Sequence, residues 1–170
     1  MNALVVYESM FGNTARVAEA IADGLRETMT VDVCEVQDAP TDPPEGLDVI
    51  VAGGPTHAFS MSRTGTRTEA IAKGATHEEV DFGLREWIDG IPAERHASSL
   101  VTFDTRVTKV RHLPGSAAKS AAKAGRQHGF ASYAAPESFY VEDTSGPLHD
   151  GELERATAWG RELGTLVAAK

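Results

Sequence analysis

Cysteine is nearly absent from this sequence of 170 residues, which contains only Cys34. A lone cysteine excludes a disulfide within the chain and the cysteine clusters of structural zinc and iron–sulfur centres. The chain also lacks an apolar run of the roughly 20 residues that cross a bilayer, and its start has neither the basic segment nor the cleavage site of a secretory signal. We therefore expect a cytoplasmic protein with no membrane insertion and no metal site.

Charge is unevenly distributed along the chain. The net charge of −9 disfavours nucleic acids and anionic membranes as partners. Residues 1–62 contain ten acidic and two basic residues, whereas residues 101–128 contain one acidic and six basic residues. Three of these bases, Lys119, Lys123 and Arg126, share one face of a predicted helix. Three interpretations stay open: a solvated helix face, a docking patch, or compensation for a bound anion.

Short apolar or alternating segments predict five strands, because buried strands of parallel sheets are rich in β-branched apolar residues. They are Asn2–Tyr7, Thr30–Val36, Leu47–Ala52, Ser99–Phe103 and Phe130–Ala135, the last with an alternative extension through Phe139–Val141. Apolar residues at helical spacing predict the helices. These comprise a helix containing Val17, Ile21 and Leu25, a weak one around Glu69–Lys73, then Val80–Ile91, Ser116–His128, and the chain from Asp150 onward. The proline-rich segment Asp38–Gly46 is predicted to be a loop.

Strands that alternate with helices predict a single α/β domain over residues 1–170, with a doubly wound parallel sheet and helices on both faces. Five strands fit the flavodoxin-like order 2-1-3-4-5. In such sheets, ligands bind beyond the carboxyl ends of the strands, at the switch point between strands 1 and 3. The candidate site therefore consists of the loops after strands 1, 3 and 4, which are Glu8–Asn13, Gly53–Ser62 and Asp104–Pro114.

The first of these loops reads Ser9-Met10-Phe11-Gly12-Asn13-Thr14 and runs directly into a predicted helix. Free backbone N–H groups at a helix N-terminus, together with serine and threonine hydroxyls, form an anion site. Because the loop has no lysine or arginine, it suits a terminal phosphate monoester held by neutral donors. A simple Asn or Thr cap of the helix explains the composition equally well.

Other phosphate-binding motifs are absent at this loop. A dinucleotide fold requires Gly-x-Gly-x-x-Gly and a P-loop requires Gly-Lys-Ser/Thr, and neither occurs here. A phosphatase-like loop requires a nucleophilic cysteine, but Cys34 lies elsewhere. A receiver domain requires an aspartate at the end of strand 3, where this chain has Gly53-Gly54.

The segment Val5–Ile21 resembles the flavodoxin signature, and the fixed positions Tyr7, Ser9, Gly12, Thr14, Ala18 and Ile21 are all filled. The turn Gly53-Gly54-Pro55-Thr56 is similar to the family's Gly-x-Pro-Thr. The resemblance implies FMN as cofactor. Its phosphate would contact Ser9, Met10, Phe11, Gly12, Asn13 and Thr14, and its ring would lie between Pro55, Thr56, His57, Ala58 and Phe59 on one side and Phe103, Asp104, Thr105 and Arg106 on the other.

The implied ring site departs from the family pattern. Many flavodoxins stack a tryptophan on one ring face and a tyrosine on the other, whereas this chain has His57 and Phe59 in the first loop and no tyrosine in the second. Reduced flavin can carry negative charge at N1 and O2, and a nearby cation such as Arg106 stabilises that form. We therefore expect a less negative potential for the fully reduced couple than in a typical flavodoxin.

The resemblance implies an electron carrier that meets a reductase and an acceptor enzyme and uses no catalytic side chain of its own. Two alternatives stay open. One is an FMN-dependent NAD(P)H/quinone or protoporphyrinogen-type oxidoreductase, in which the stretch Ser60–Glu79 shapes a substrate cavity instead of forming a mobile loop. The other is a flavin-free binding or regulatory module, consistent with the missing aromatic sandwich.

Overall fold

The computed structural model describes residues 1–170, and its elements alternate as expected of an α/β chain. The strands are β1 Asn2–Tyr7, β2 Thr30–Glu35, β3 Val49–His57, β4 Ser60–Met61, β5 Ser99–Val107 and β6 Glu137–Val141. The helices are α1 Asn13–Leu25, α2 Thr64–Ala72, α3 Leu84–Gly90, α4 Ala117–Gln127 and α5 Glu152–Ala168, with a 3₁₀ turn at Thr108–Val110. No helix combines the length and the hydropathy of a membrane span.

The strands form one sheet whose main part is parallel, in the order β2-β1-β3-β5-β6, while the short β4 pairs antiparallel with the end of β3. With β5 and β6 as the fourth and fifth main strands, this is the predicted order 2-1-3-4-5. The order reverses between β1 and β3, which are direct neighbours. The carboxyl ends of the strands therefore open a crevice at this point.

Helices cover both faces of the sheet and enclose two core clusters. One cluster lies under α1 and α5 and includes Ile21 and Leu163. The other lies under α3 and α4 and includes Trp87 and Ala121. The alanine side chains of α4 leave its backbone close to the sheet, which brings the start of this helix to the carboxyl ends of β3 and β5.

Strands β3 and β5 run further than the sequence predicts. The predicted ends are Ala52 and Phe103, but the strands continue to His57 and Val107. Gly53 lies within β3 and does not end the strand. The Phe103 ring packs against this glycine, since a Cβ on Gly53 would lie 2.4 Å from the ring. The edge of the sheet therefore lies several residues later in both strands.

The fifth main strand is Glu137–Val141, so the prediction of Phe130–Ala135 is wrong, whereas the predicted extension through Phe139–Val141 falls within this strand. The earlier segment makes only a single bridge, between Ala131 and Ser99. Pro136, which has no N–H to donate, separates it from β6. The loop that reaches the carboxyl edge of the sheet thus begins at residue 142.

Two helices begin at other residues than predicted. Helix α2 begins at Thr64, ahead of the predicted Glu69–Lys73, and α3 begins at Leu84 instead of Val80. The Leu84 N–H donates to the buried carboxylate of Glu8 over 2.8 Å, which fixes the start of α3. The predicted proline-rich loop and helices α1, α4 and α5 are confirmed.

Candidate binding cleft

A cleft with a cavity volume of about 70 Å³ opens at the carboxyl ends of the strands. Its walls are the loop after β1, the ends of β3 and β5, and the loop after β6. The lining residues are Met10, Phe11, Asn13, Thr14, Pro55, Thr56, His57, Thr105, Arg106, Val107, Val141 and Thr144. Nine of these twelve are among the site residues predicted from the sequence.

Ser9 and Gly12 shape the loop after β1 without lining the cleft. Gly12 has a φ of +89°, a left-handed conformation that glycine adopts without strain. The Ser9 hydroxyl accepts hydrogen bonds from the N–H groups of Gly12 and Ala15 at 3.1 and 3.2 Å. These two contacts curl the loop around the N-terminus of α1.

Several backbone donors of this loop are left free. The N–H groups of Met10, Phe11, Asn13 and Thr14 have no acceptor within the chain, and all four residues line the cleft. Unpaired N–H groups at a helix N-terminus attract an anion, and the helix dipole adds to this attraction. The alternative of a simple side-chain cap is wrong, because the N-cap residue of α1 is Gly12.

The side chains of Asn13 and Thr14 join the loop to two other walls. The Thr14 hydroxyl lies 2.7 Å from the hydroxyl of Thr105 at the end of β5, and both are buried. The Asn13 amide donates to the carbonyl of Ser145, in the loop after β6, over 3.1 Å. The free N–H groups are therefore held in a fixed position relative to the rest of the cleft.

Strands β3 and β4 form a tight hairpin whose turn residues are Ala58 and Phe59. Their φ angles of 47° and 63° are left-handed, a conformation that costs of order 1 kcal/mol for each residue with a side chain. His57 precedes the turn and lines the cleft, with Nδ1 3.0 Å from the Thr66 hydroxyl. Burial lowers the pKa of His57, so the imidazole facing the cleft is neutral at pH 7. Ala58 and Phe59 do not line the cleft.

Arg106 is the one residue in the cleft wall with a permanent charge. It is only 4% exposed. Its Nη2 donates to the carbonyls of Val110 and Leu113 at 2.7 and 3.3 Å. Its Nε is buried and has no partner. Because a buried cation is costly without a partner, this wall favours an anionic or polar acceptor in the cleft.

Phe103 and Asp104 do not reach the cleft, although the sequence prediction includes them. Both are fully buried within β5. The Phe103 ring packs edge-on against Phe139, with centroids 6.4 Å apart. Asp104 accepts the N–H of Ala118 in the first turn of α4 over 2.9 Å, and burial raises the pKa of its carboxyl. The loop begins only after Val107, so the residues that face the cleft are those from Thr105 onward.

The loop after β6 is the wall that the sequence prediction missed. Val141 and Thr144 line the cleft, and Ser145 accepts the hydrogen bond of Asn13. All strands of a parallel sheet end at the same edge, so the loop after a fifth strand belongs to the site. The misplacement of that strand at residues 130–135 hid this signal.

A buried ion pair supports the cleft from behind. Glu8 and Arg67 are both fully buried, with Arg67 Nε 3.4 Å from Glu8 Oε1 and 2.8 Å from the Ser62 hydroxyl. The Ser62 hydroxyl also donates to Glu8, and Arg67 pairs with Glu86. The stretch Ser60–Glu79 thus contains a packed strand and helix up to Ala72, and the alternative of a mobile loop is wrong for this part.

Comparison with known proteins gives a family match and a set of similar folds. The flavodoxin family model matches residues 5–69, and no curated protein sequence matches. A flavodoxin from the domain Archaea is similar with a TM-score of 0.67, at 21% identity over 99% of each chain. Oxidised flavodoxin 2 from Bacillus cereus has a TM-score of 0.68, at 16% identity over 99% of each chain. Rubredoxin oxygen:oxidoreductase from Desulfovibrio gigas has a TM-score of 0.63, at 15% identity over 99% of this chain and 36% of that one.

Proposed function

The chain is flavodoxin-like, in its fold and in the segment 5–69 that matches the family, and we propose that it binds FMN in the cleft and transfers electrons between partner proteins. The observation that carries this proposal is the group of four unpaired N–H donors at the N-terminus of α1. They lie at the switch point of a doubly wound sheet, which is where nucleotide ligands bind in such folds.

The loop after β1 fits the phosphate of FMN. Its free donors are backbone N–H groups, and the loop contains no lysine or arginine. The space beside Gly12 is open, since a Cβ placed there would have no atom within 4 Å. A phosphate monoester would accept hydrogen bonds from the N–H groups of Met10, Phe11, Asn13 and Thr14.

The opposite end of the cleft fits a polar aromatic ring. Phe11 and His57 are the only lining residues with a ring side chain suited to stacking, and His57 is neutral. The unpartnered Nε of Arg106 would donate to an acceptor of the ring. When bound, FMN would supply one- and two-electron transfer. The residues of this chain would hold it, keep water from the buried side and offset negative charge near Arg106.

We propose partner proteins as the donor and the acceptor of the electrons. His57 is neutral and bonded to Thr66, and no carboxylate lines the cleft. A protein of this kind exchanges electrons with a reductase and an acceptor enzyme through small, short-lived contacts.

One observation favours the alternative of a substrate-specific oxidoreductase. A second hollow of about 190 Å³ adjoins the cleft and shares Thr56, His57 and Thr144 with it. Its outer wall is α2, with Glu69 and Lys73. A small acceptor such as a quinone would fit beside the flavin ring in this hollow.

The first experiment measures flavin binding. The purified protein is examined for a flavin absorption spectrum, and the flavin-free form is titrated with FMN and with riboflavin by fluorescence quenching. We expect FMN to bind at least about 100-fold more tightly than riboflavin, because the phosphate makes several charge-assisted hydrogen bonds. A colourless protein that takes up no FMN would overturn the proposal and favour a flavin-free module.

The second experiment separates the carrier from the oxidoreductase. The FMN-loaded protein is mixed with NADH or NADPH alone and then with a purified flavodoxin reductase added. Reduction that requires the reductase supports the carrier. Direct reduction by the nicotinamide, followed by turnover with a quinone, overturns the carrier and supports the alternative.

A further inference from the structure

Two of the four large hydrophobic side chains that the chain exposes lie at one edge of the cleft. The four are Met1, Phe59, Leu113 and Leu166, and Phe59 and Leu113 are 44% and 47% exposed. Scattered exposed hydrophobic residues are common and need no explanation. Phe59 and Leu113, however, belong to the two segments that follow the cleft-lining ends of β3 and β5.

The two segments pack against each other at Gly115. A Cβ on Gly115 would lie 2.7 Å from the Phe59 carbonyl oxygen and 3.3 Å from its Cβ, so the backbone at Gly115 lies against the hairpin turn. Leu113 is two residues before Gly115, and its carbonyl accepts a hydrogen bond from Arg106. The left-handed turn at Ala58 and Phe59 holds the hairpin in a single shape.

Exposed basic residues lie in the segments next to this apolar pair. Lys109 and Arg111 lie on the same segment as Leu113, and Lys119 lies in the first turn of α4. None of the three makes an ion pair, and neither residues 49–68 nor residues 105–136 contain an aspartate or glutamate. A hydrogen bond of 3.0 Å between the hydroxyls of Ser60 and Ser120 ties the start of α4 to the hairpin. We call the surface of Phe59, Lys109, Arg111, Leu113 and Lys119 the rim patch.

We infer that the rim patch is the docking surface for an acidic redox partner protein. This inference rests on the proposed function, because it requires that electrons pass at the adjacent cleft. An exposed aromatic and a leucine inside a charged border match the usual plan of an interface, with an apolar centre and a polar rim. A patch of only five residues is in keeping with the weak contacts of electron-transfer proteins.

The charge distribution of the chain favours a partner protein with a negative net charge. The rim patch is positive on a chain of net charge −9, and exposed acids border it on one side, because Glu142 and Asp143 follow Val141, which pairs with Val107 in the sheet. A compact acidic protein is therefore attracted to one face and repelled by the others, which orients its approach. A long polyanion or an anionic membrane would also contact the acidic remainder of the surface, which would repel it.

The test uses a small acidic ferredoxin as the probe and basic cytochrome c as its opposite. Each is added to the isotope-labelled, FMN-loaded protein at low ionic strength, and amide shifts are recorded by NMR. We expect the ferredoxin to shift amides of residues 57–63 and 107–120 and the effect to disappear in high salt. Cytochrome c should shift amides elsewhere, on the acidic segment 1–62 outside the hairpin.

A matched pair of charge reversals makes the test specific. The variant Lys109→Glu/Arg111→Glu alters the rim patch, and Lys123→Glu/Arg126→Glu makes the same change in net charge further along α4. We expect the first to weaken ferredoxin binding about tenfold and the second to change it less than about twofold. The variant Phe59→Ala should weaken binding without changing its salt dependence.

Three results would overturn the inference. They are no shift at the rim patch with ferredoxin, equal weakening by the two double variants, or stronger binding to anionic lipid vesicles than to the ferredoxin with the same dependence on Lys109 and Arg111. FMN affinity is measured separately for every variant by fluorescence. A protein that binds FMN but shows no ferredoxin-induced shifts at the rim patch therefore contradicts the rim patch alone, whereas failure to bind FMN contradicts the proposed function.

Discussion

The hydroxyl groups of Thr14 and Thr105 lie 2.7 Å apart in the buried wall of the cleft. Thr14 belongs to the first turn of α1 and Thr105 to the end of β5, so this contact joins the candidate phosphate loop to the strand that carries Arg106. This one hydrogen bond connects the two ends of the cleft. Replacing either threonine tests whether the structure of the cleft depends on the bond.

Replacement of either threonine by valine should destabilise the flavin-free protein. Thr105→Val leaves the Thr14 hydroxyl buried without a partner, at a cost of about 1–3 kcal/mol in the free energy of unfolding. Thr14→Val should cost a similar amount. Thr14→Val/Thr105→Val should cost less than the sum of the two, because no buried hydroxyl remains unpaired. Urea denaturation of the four proteins measures this, and strictly additive losses would contradict the coupling.

Replacement of Gly12 by alanine should weaken FMN binding through the backbone alone. Gly12 has a φ of +89°, and a Cβ there would touch nothing within 4 Å. The substitution therefore costs about 1–2 kcal/mol in backbone strain. We expect the loop to relieve this strain by a shift of its backbone, which displaces the N–H donors. Titration should show a larger loss of affinity for FMN than for riboflavin, since only FMN has the phosphate.

Gly151 provides the control for this substitution. It is the N-cap residue of α5, has a φ of +85° and likewise has open space around its Cβ position. Gly151→Ala should lower the free energy of unfolding by the same amount as Gly12→Ala and leave FMN affinity unchanged. Equal FMN affinities of the two variants would exclude a role for the loop after β1 in phosphate binding.

Replacement of Arg106 should change the potential of the bound flavin. The guanidinium is buried in the cleft wall and has a free Nε, so it would stabilise negative charge on the reduced ring. Arg106→Gln should make the midpoint potential of the fully reduced couple about 60 mV more negative, the change that corresponds to a tenfold loss in a one-electron equilibrium. Potentiometric titration measures this shift.

Two further variants separate charge from structure at this position. Arg106→Lys keeps the charge and should retain most of the potential, although it loses one of the bonds to Val110 and Leu113. Arg111→Gln removes an exposed cation of the same rim and should have little effect. An unchanged midpoint potential in Arg106→Gln would contradict the role proposed for this guanidinium.

The loop after β1 could be predicted from the sequence because all its determinants are local. Ser9, Gly12 and Thr14 lie within one strand-loop-helix unit, and the spacing alone indicates free N–H groups at a helix start. The strand order is likewise predictable, since connection rules leave few topologies for alternating strands and helices.

The rest of the cleft depends on contacts between distant parts of the chain. The Phe103 ring fills the space that Gly53 leaves, and β3 and β5 continue past their predicted ends. The bond from Asn13 to Ser145 requires the correct fifth strand, and the ion pair of Glu8 with Arg67 joins residues 59 positions apart. No local pattern contains these contacts.

The stability of the protein should depend on pH through His57. In the unfolded chain His57 has its ordinary pKa of 6.5, whereas burial lowers this pKa in the folded protein. Between the two values the unfolded state binds more protons, so the free energy of unfolding rises with pH in this window. The stabilisation is complete above pH 6.5 and is lost progressively as the pH falls below it.

His57→Asn tests this dependence, because it removes the titrating ring and keeps a group that can bond to Thr66. The pH profile of unfolding for this variant should be flatter just below pH 6.5. Glu152 serves as an internal reference: its pKa is lowered from 4.5, largely through Arg155, so its effect lies at more acid pH in both proteins. Identical profiles above pH 5 would contradict the assignment to His57.

The buried pair of Glu8 and Arg67 should be the most sensitive position behind the cleft. Both side chains are fully buried, and Arg67→Met leaves the Glu8 carboxylate with only the N–H of Leu84 and the Ser62 hydroxyl. Breaking a buried ion pair costs about 3–5 kcal/mol. The free energy of unfolding from guanidinium denaturation should fall by this amount.

The neutral double variant Glu8→Gln/Arg67→Met distinguishes the uncompensated charge from lost packing. It removes the uncompensated buried charge of Glu8, so it should be more stable than Arg67→Met alone. Because the pair fixes the hairpin segment and the start of α3, Arg67→Met should also increase amide hydrogen exchange in residues 60–86, while α5 stays protected. A double variant as unstable as Arg67→Met would show that the pair acts through shape and not through charge.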